Sequence, residues 1–232
     1  MLAEEFDKFA DEYIAVHGRN VRLSGEGPEY FSRYKIEELR RRWTAWRRPE
    51  PDAILDFGCG IGGSLPHLAR AFPRARLIGL DVSARSLAIA AQRFPEVANL
   101  VHHDGGVALP MGSGSCDLVF SACVFHHIPA SAQVPMLGEL RRILRPGGLL
   151  VVFEHNPANP VTRYMVASCP FDENAVLLRP ATLEVRLREA GFASPTIRFI
   201  GFFPRQLLAL RAAERWFTRL PVGAQYYAAA QA

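Results

Sequence analysis

Residues 55–63 read Leu-Asp-Phe-Gly-Cys-Gly-Ile-Gly-Gly (LDFGCGIGG). Its glycines fit a G-x-G-x-x-G spacing at Gly58, Gly60 and Gly63, and a tighter G-x-G-x-G spacing at Gly58, Gly60 and Gly62. A glycine loop between a strand and a helix brings backbone close to a ligand at the carboxyl edge of a parallel sheet. The flanks supply that context. Ala53–Phe57 is a short strand-like run, and Leu65, Leu68, Ala69 and Phe72 fall at helical spacing, with Pro66 tolerable in the first turn. The glycines alone do not distinguish a pyrophosphate from a ligand without phosphate.

Strand and helix patterns then alternate. Arg76–Leu80 reads as a strand, followed by a helix capped at Ser83 with Leu87, Ala90, Ala91 and Phe94 on its apolar face. Strands follow at Leu100–His102 and Asp117–Ser121, and Met136, Leu140, Ile143 and Leu144 form a helical stripe stopped at Pro146-Gly147-Gly148. Leu149–Phe153 is wholly apolar, as a parallel strand covered on both faces must be. The alternation predicts an α/β, doubly wound sheet with right-handed crossovers. Beyond it, residues 155–178 are rich in Pro and Asn and read as a long excursion. A helix closing at Gly191, a strand at Thr196–Phe202, a helix over Pro204–Leu220 and a strand at Ala224–Ala230 complete the chain.

A length of 232 residues suits one buried α/β domain with additions, and the hydrophobic share of 49% is ordinary for a globular chain. The division expected is an N-terminal helical lid over residues 1–48 and a sheet domain over 49–232. No apolar run approaches a membrane span, and the acidic, amphipathic MLAEEFDKFADEYI has the character of neither a signal nor a transit peptide. The four cysteines show no zinc or C-x-x-C spacing, which suits reduced thiols and a cytoplasmic setting. The net charge of +4 rests on arginines, clustered at Arg40, Arg41, Arg42, Arg47 and Arg48 and again from Arg205 to Arg219. Solvated helix faces explain these as well as a nucleic-acid footprint does.

Three aspartates bear on the ligand. Asp81 closes the second strand, where a carboxylate can accept charge-assisted hydrogen bonds from two ribose hydroxyls. Asp56, two residues before Gly58, would repel a pyrophosphate but suits a ligand carrying an ammonium and a sulfonium. Asp104, in HHDGG, can accept from an exocyclic adenine amine. Taken in order, ILDFGCGIG, LIGLDVS, HHDG, DLVFSACVFHHI and LRPGG resemble the class I S-adenosylmethionine-dependent methyltransferases from about Ile54 to Glu154. The flavour is that of the small-molecule branch that includes the ubiquinone and menaquinone biosynthesis enzymes.

The resemblance implies a seven-stranded Rossmann-like sheet whose last strand runs antiparallel. It also implies S-adenosyl-L-methionine as cofactor and S-adenosyl-L-homocysteine as product. Gly58, Cys59 and Gly60 would lie against the methionine part, with Asp56 ordering the loop and Asp81 on the ribose. Val82 would pack on adenine, Asp104 and the Gly105 amide would read its edge, and the Ser121 carbonyl would face the cofactor's amino group. Lys35, or a nearby tyrosine, could pair with the cofactor's carboxylate. Cys59 itself reads as a packed thiol and not a nucleophile.

Methyl transfer from a sulfonium is an in-line displacement, which chiefly requires alignment and exclusion of water. A base is needed only where the nucleophile must lose a proton, and His126, His127, Glu154 and His155 are the candidates at the carboxyl edge. Their alternative roles are lining the pocket or bracing a loop, while His102 and His103 read as structural or exposed. In place of the N-P-P-Y-like tetrapeptide of the adenine-N6 and glutamine methyltransferases stands SACV, and no RNA-binding appendage is recognisable. A small organic acceptor methylated at oxygen or carbon is therefore expected, not a nucleic acid. Tyr13, His17, Tyr30, Tyr34, Asn156, Asn159, Tyr164 and Phe171 lie in the two segments expected to choose it. An RNA methyltransferase, a non-catalytic cofactor-binding module and an NAD-dependent dehydrogenase are the competing classes. The arginines are the only support for the first, the intact Asp56, Asp81 and Asp104 oppose the second, and Asp56 opposes the third.

Overall fold

The wholly apolar runs become the inner strands, since only strands covered on both faces can carry them. In the computed structural model, which describes residues 25–232 (the Phe171 side chain apart) together with Asp7 and Gly18, they form one seven-stranded sheet. Its strands are β1 (Ala53–Phe57), β2 (Arg76–Asp81), β3 (Asn99–His102), β4 (Cys116–Ala122), β5 (Leu144–His155), β6 (Ala193–Ile200) and β7 (Gln225–Gln231), in the order β3-β2-β1-β4-β5-β7-β6. The first five run parallel, and β7 is antiparallel to both β5 and β6. This is the doubly wound, Rossmann-like sheet with a reversed last strand that the sequence implied.

Helices cover both faces. On one, α4 (Ala130–Ile143) and α6 (Pro180–Glu189) bury Met136, Leu137, Leu140, Leu183 and Leu187 against Leu55, Val119 and Leu150. On the other, α1 (Pro28–Ala45) and α2 (Leu65–Ala71) bury Ile36, Leu39, Trp43 and Leu68 against Ile54, Phe120 and Phe153. Helix α3 (Ala84–Arg93) starts at Ser83, whose Oγ accepts from Ser86 N, and α5 (Pro160–Ala167) lies in the excursion after β5. Within the segment expected as a lid, α1 is thus built into the core. Asp7 reaches the carboxyl edge, where its Oδ1 accepts from Ser83 Oγ and Arg85 N. Other lid positions before residue 25, Tyr13 and His17 among them, lie outside the described residues.

Two elements differ from expectation. The LRPGG turn lies inside β5, as an irregularity. Cys116 pairs with Leu144 while Leu118 pairs with Leu149, so residues 145–148 bulge out and Gly147 takes a φ of +78°. The helix expected over Pro204–Leu220 is a 3-10 stretch, Arg205–Ala213, followed by the short α7 (Glu214–Phe217). No side chain of Arg205–Ala213 is buried, and without a packed face a short α-helix has little to hold it.

Trp43 is 2% exposed, stacks edge-on against Phe72 and donates from Nε1 to Pro49 O. Trp43→Ala is expected to cost about 3–5 kcal/mol in urea unfolding. A loss below about 1 kcal/mol, small beside that of a core aromatic, would show α1 to be separable from the domain.

Candidate active site

The parallel strands end together at one edge, and the glycine loop turns there. Gly58 has a φ of +76°, and a Cβ on it would stand 2.3 Å from Val124 Cγ2, so only glycine fits. The amides of Gly58 and Cys59 both donate to Leu80 O, at 2.8 and 3.0 Å, clamping the loop to the end of β2. Asp81 completes the clamp. Its Oδ2 accepts from Gly60 N at 2.7 Å and its Oδ1 from Ser83 N at 2.9 Å. Each oxygen keeps a second lone pair for a further donor.

Asp56 is the opposite case. It is 3% exposed at the end of β1, and its Oδ2 has no hydrogen-bond partner among the described residues. Burial, reinforced by the Asp81 charge and only partly offset by Lys35, pushes its carboxyl up to about 8. Lys35, buried on α1, donates from Nζ to Cys123 Sγ at 3.8 Å. Cys123, just past β4, holds a left-handed φ of +59° and also accepts from Gln225 Nε2 at 3.7 Å. Burial would raise its thiol, but His155 and Lys35 outweigh burial and bring it down to about 7. The Cys59 thiol is instead pushed well up by burial and by the Asp56 and Asp81 charges, consistent with a packed side chain.

A second group gathers around the 3-10 turn Phe125–His127. Glu154 is wholly buried; its Oε1 accepts from Phe125 N at 2.8 Å and its Oε2 pairs with His126 Nδ1 at 2.5 Å. On the far side, Asp172 Oδ1 lies 3.4 Å from His126 Nε2 and 3.4 Å from His127 Nε2. Burial opposes charge on His126, but Glu154 and Asp172 prevail and raise its pKa well above the ordinary value. Asp172 is correspondingly held far below the usual carboxylate range: the two imidazoles more than reverse the effect of its burial. Burial also opposes charge on His155, which the neighbouring Cys123 thiol raises.

These groups face one cavity of about 940 Å³. Lys35, Asp56, Gly58, Cys59, Gly60, Asp81 and Val82 line it from the glycine-loop side, and His126, His127 and His155 from the β4–β5 side. Glu154 stands behind His126 and does not line it. Neither do Asp104, Gly105 and Ser121. Asp104 is exposed and its Oδ1 accepts from Gly106 N at 2.9 Å, whereas His103 is buried and lines the cavity. Ser121 is wholly buried in β4, paired with Phe57 and Val152, and its Oγ has no partner among the described residues. Asp172 was not singled out in the sequence. It lies in an irregular segment 46 positions from His126, and no local pattern links the two.

The sheet order, the reversed β7 and the glycine loop after β1 define a class I methyltransferase fold. Residues 54–148 match the family described as a methyltransferase domain. The chain is 30% identical over 166 residues to a trans-aconitate 2-methyltransferase of Variovorax paradoxus, a match covering 67% of this chain and 62% of that protein. A Deinococcus radiodurans protein of the same name is 40% identical over 107 residues, 46% of this chain and 38% of that one. The chain therefore spans less than two thirds of the length of these curated relatives. A Thermotoga maritima structure, described as an S-adenosylmethionine-dependent methyltransferase and possible histamine N-methyltransferase, superposes with a TM-score of 0.66 at 19% identity, covering 99% of both chains. Residues 54–148 are thus a methyltransferase domain, and the chain carries the class I S-adenosylmethionine-dependent methyltransferase fold that its motifs resemble.

The buried Asp56 carboxyl leads to a stability test. A carboxyl whose pKa is raised from about 3.9 in the unfolded chain binds its proton more tightly when folded. The folded protein then loses stability as pH rises from about 4 to about 8. Asp56→Asn removes that slope. Its melting temperature, relative to the ligand-free native protein, is expected to gain more at about pH 9 than at about pH 5. Equal differences at the two pH values would mean that Asp56 ionises at its ordinary value.

Proposed function

We propose that the protein transfers a methyl group from S-adenosyl-L-methionine to a small organic acceptor, at oxygen or carbon. The observation that carries this reading is Asp56, a buried carboxyl beside a glycine loop whose Oδ2 has no hydrogen-bond partner among the described residues. It suits a cationic ligand and opposes a pyrophosphate. The residues present fit the cofactor. Asp56 would face its charged amino acid end, with Gly58, Cys59 and Gly60 giving the approach and Lys35 available to its carboxylate. Asp81 would accept from the ribose, using the lone pairs that Gly60 N and Ser83 N leave over. Val82 would pack on adenine, with His103 beside it and Asp104 and Gly105 at its edge. The Ser121 carbonyl would serve the amino group.

Once bound, the cofactor supplies an electrophilic methyl on a sulfonium. The chain's own task is then to align an acceptor and exclude water. Glu154 fixes the position of His126, and His126, His127 and His155 present a basic wall to the acceptor. An acidic acceptor, such as the one for which the trans-aconitate relatives are named, carries an oxygen nucleophile without a proton and needs no base. A hydroxyl acceptor would need one of these histidines. The remaining wall comes from Asn159, Thr162, Met165, Phe202 and Phe203. All lie outside the matched 54–148 segment, so these residues would set the choice of acceptor. Asp7 at Ser83, and Glu26 to Lys35 along the cavity, are where an N-terminal lid would act.

The arginine clusters favour no nucleic acid. Arg40 pairs with Glu50, Arg41 and Arg42 with Glu38, and Arg211 with Glu26. No helix among the described residues is long and apolar enough to cross a membrane. The four cysteines are free, and we place the protein in the cytoplasm.

Calorimetry should show binding of S-adenosylhomocysteine and none of NAD. Asp81→Ala should weaken that binding about ten-fold to several hundred-fold, since charge-assisted hydrogen bonds contribute roughly 1.5–3 kcal/mol each. NAD binding, or an unchanged affinity in Asp81→Ala, would overturn the cofactor assignment. Incubating a metabolite extract with the enzyme and deuteromethyl-labelled cofactor, followed by mass spectrometry, should yield one labelled small molecule.

A further inference from the structure

We propose that His126, His127 and Asp172 form a binding site for a divalent ion of the zinc class, with one coordination position open to the cavity. The three side chains offer ligand atoms that all lie within 4.8 Å of one another. Asp172 Oδ1 is 3.4 Å from Nε2 of His126 and 3.4 Å from Nε2 of His127. Two ligands bound at about 2.1 Å and separated by the tetrahedral angle stand about 3.4 Å apart, so both edges through Asp172 already have the required length. Only the edge between the two histidines has to close, from a separation within 4.8 Å.

A second observation points the same way. His126 is 2% exposed, yet its Nε2 makes no hydrogen bond among the described residues, close as Asp172 is. Its other nitrogen, Nδ1, is paired with Glu154 Oε2. When a metal ion takes the place of the Nε2 proton, an imidazole donating from Nδ1 to a carboxylate presents the Nε2 lone pair to that ion. That is the support which orients histidine ligands in metal sites. Glu154 is itself fixed by Phe125 N, so the ligand direction is set by the backbone of the turn.

The donor set defines the ion. Two imidazoles and one carboxylate suit zinc and its neighbours, not calcium or magnesium, which take oxygen. Three protein ligands leave a fourth position open, the arrangement of sites that act on a ligand and not of closed structural sites. All three residues line the cavity. An oxygen of a small molecule in the cavity would take the open position by replacing a water molecule. If the methyl-transfer reading holds, that oxygen belongs to the acceptor; the ion site itself does not depend on that reading.

The test uses the full chain, stripped with a chelator and dialysed. Zn²⁺ is titrated against a chromophoric competitor, and Co²⁺ in parallel, whose visible bands report four-coordination. One equivalent of Zn²⁺ should bind, with intense tetrahedral Co²⁺ bands. Asp172→Asn and His127→Gln should each weaken Zn²⁺ binding about a hundred-fold or more. Glu154→Gln, which touches only the supporting shell, should weaken it about 10–100-fold. Circular dichroism and melting checks that each variant is folded, and Asp172→Asn and His127→Gln spare the buried core. No stoichiometric Zn²⁺ binding by the native chain, or native affinity in both ligand variants, would overturn the site. Either result leaves the S-adenosylhomocysteine titration unaffected, so the two readings fail separately.

Discussion

A carboxylate taken wholly out of water remains ionised only if donors surround it, and Glu154 organises the β4–β5 half of the cavity on that condition. It lies one residue before the end of β5, and both its donors, Phe125 N and His126 Nδ1, come from the turn after β4. Two neighbouring strand ends are therefore held at one point. The turn is braced further by Gln133, whose Nε2 donates to Phe125 O and Ile128 O, and by Val176 N, which donates to His126 O. Asp172 meets the same imidazole from the other side, so the excursion after β5 is also held at this histidine.

The glycine-loop half works by the opposite rule. Asp81 is satisfied by Gly60 N and Ser83 N and so shapes the loop in the free protein. Asp56 is not satisfied, and its raised pKa measures the cost of keeping it buried. Below about pH 8 a proton relieves that cost in the free protein, and a bound cation would take over by stabilising the ionised form. One aspartate spends its interactions on architecture; the other holds them in reserve for a ligand. Position in the sheet accounts for the difference. Asp56 lies next to last in β1, flanked by β2 and β4, while Asp81 ends β2 beside the short β3 and precedes a helix start.

The half of the site built from local pattern was legible in the sequence. A strand, a glycine loop and a helix follow from adjacent residues, and Asp56 and Asp81 are placed by the strand ends that carry them. The sheet itself was legible for the same reason, including β6 and β7 to within a few residues. What the sequence hid depends on contacts between distant segments. Asp172 joins His126 and His127 only because the excursion folds back over the turn. His103, read as structural or exposed, is buried, and Asp104, expected to read the adenine edge, is exposed; neither follows from alternation along β3. Arg205–Ala213 has helical spacing but no buried side chain, so propensity there lacked the support of a core-facing stripe. Pro146-Gly147-Gly148 signalled a turn correctly as chemistry; the sheet absorbs it as a bulge.

The reversal of β7 has a consequence for what the cavity admits. Because β7 enters the sheet between β5 and β6, the β6–β7 connection returns across the carboxyl edge. There it meets the start of α1. Tyr34 Oη donates to Glu214, which also accepts from Phe202 N and Phe203 N, at 3.1 and 3.0 Å. Arg211 pairs with Glu26 at 2.8 Å and lies over the Tyr30 ring at 4.6 Å. One wall of the cavity is thus a clasp between the two ends of the described chain, both outside the segment that matches the family model. The two acids of the clasp neutralise or accept from its partners, so the wall is closed by pairs that leave the cavity face to aromatic rings. Its shape depends on α1 holding its position, and Trp43 and Leu39 secure that position in the core. In this chain the surface that would discriminate among acceptors is therefore fixed by the same packing that stabilises the fold.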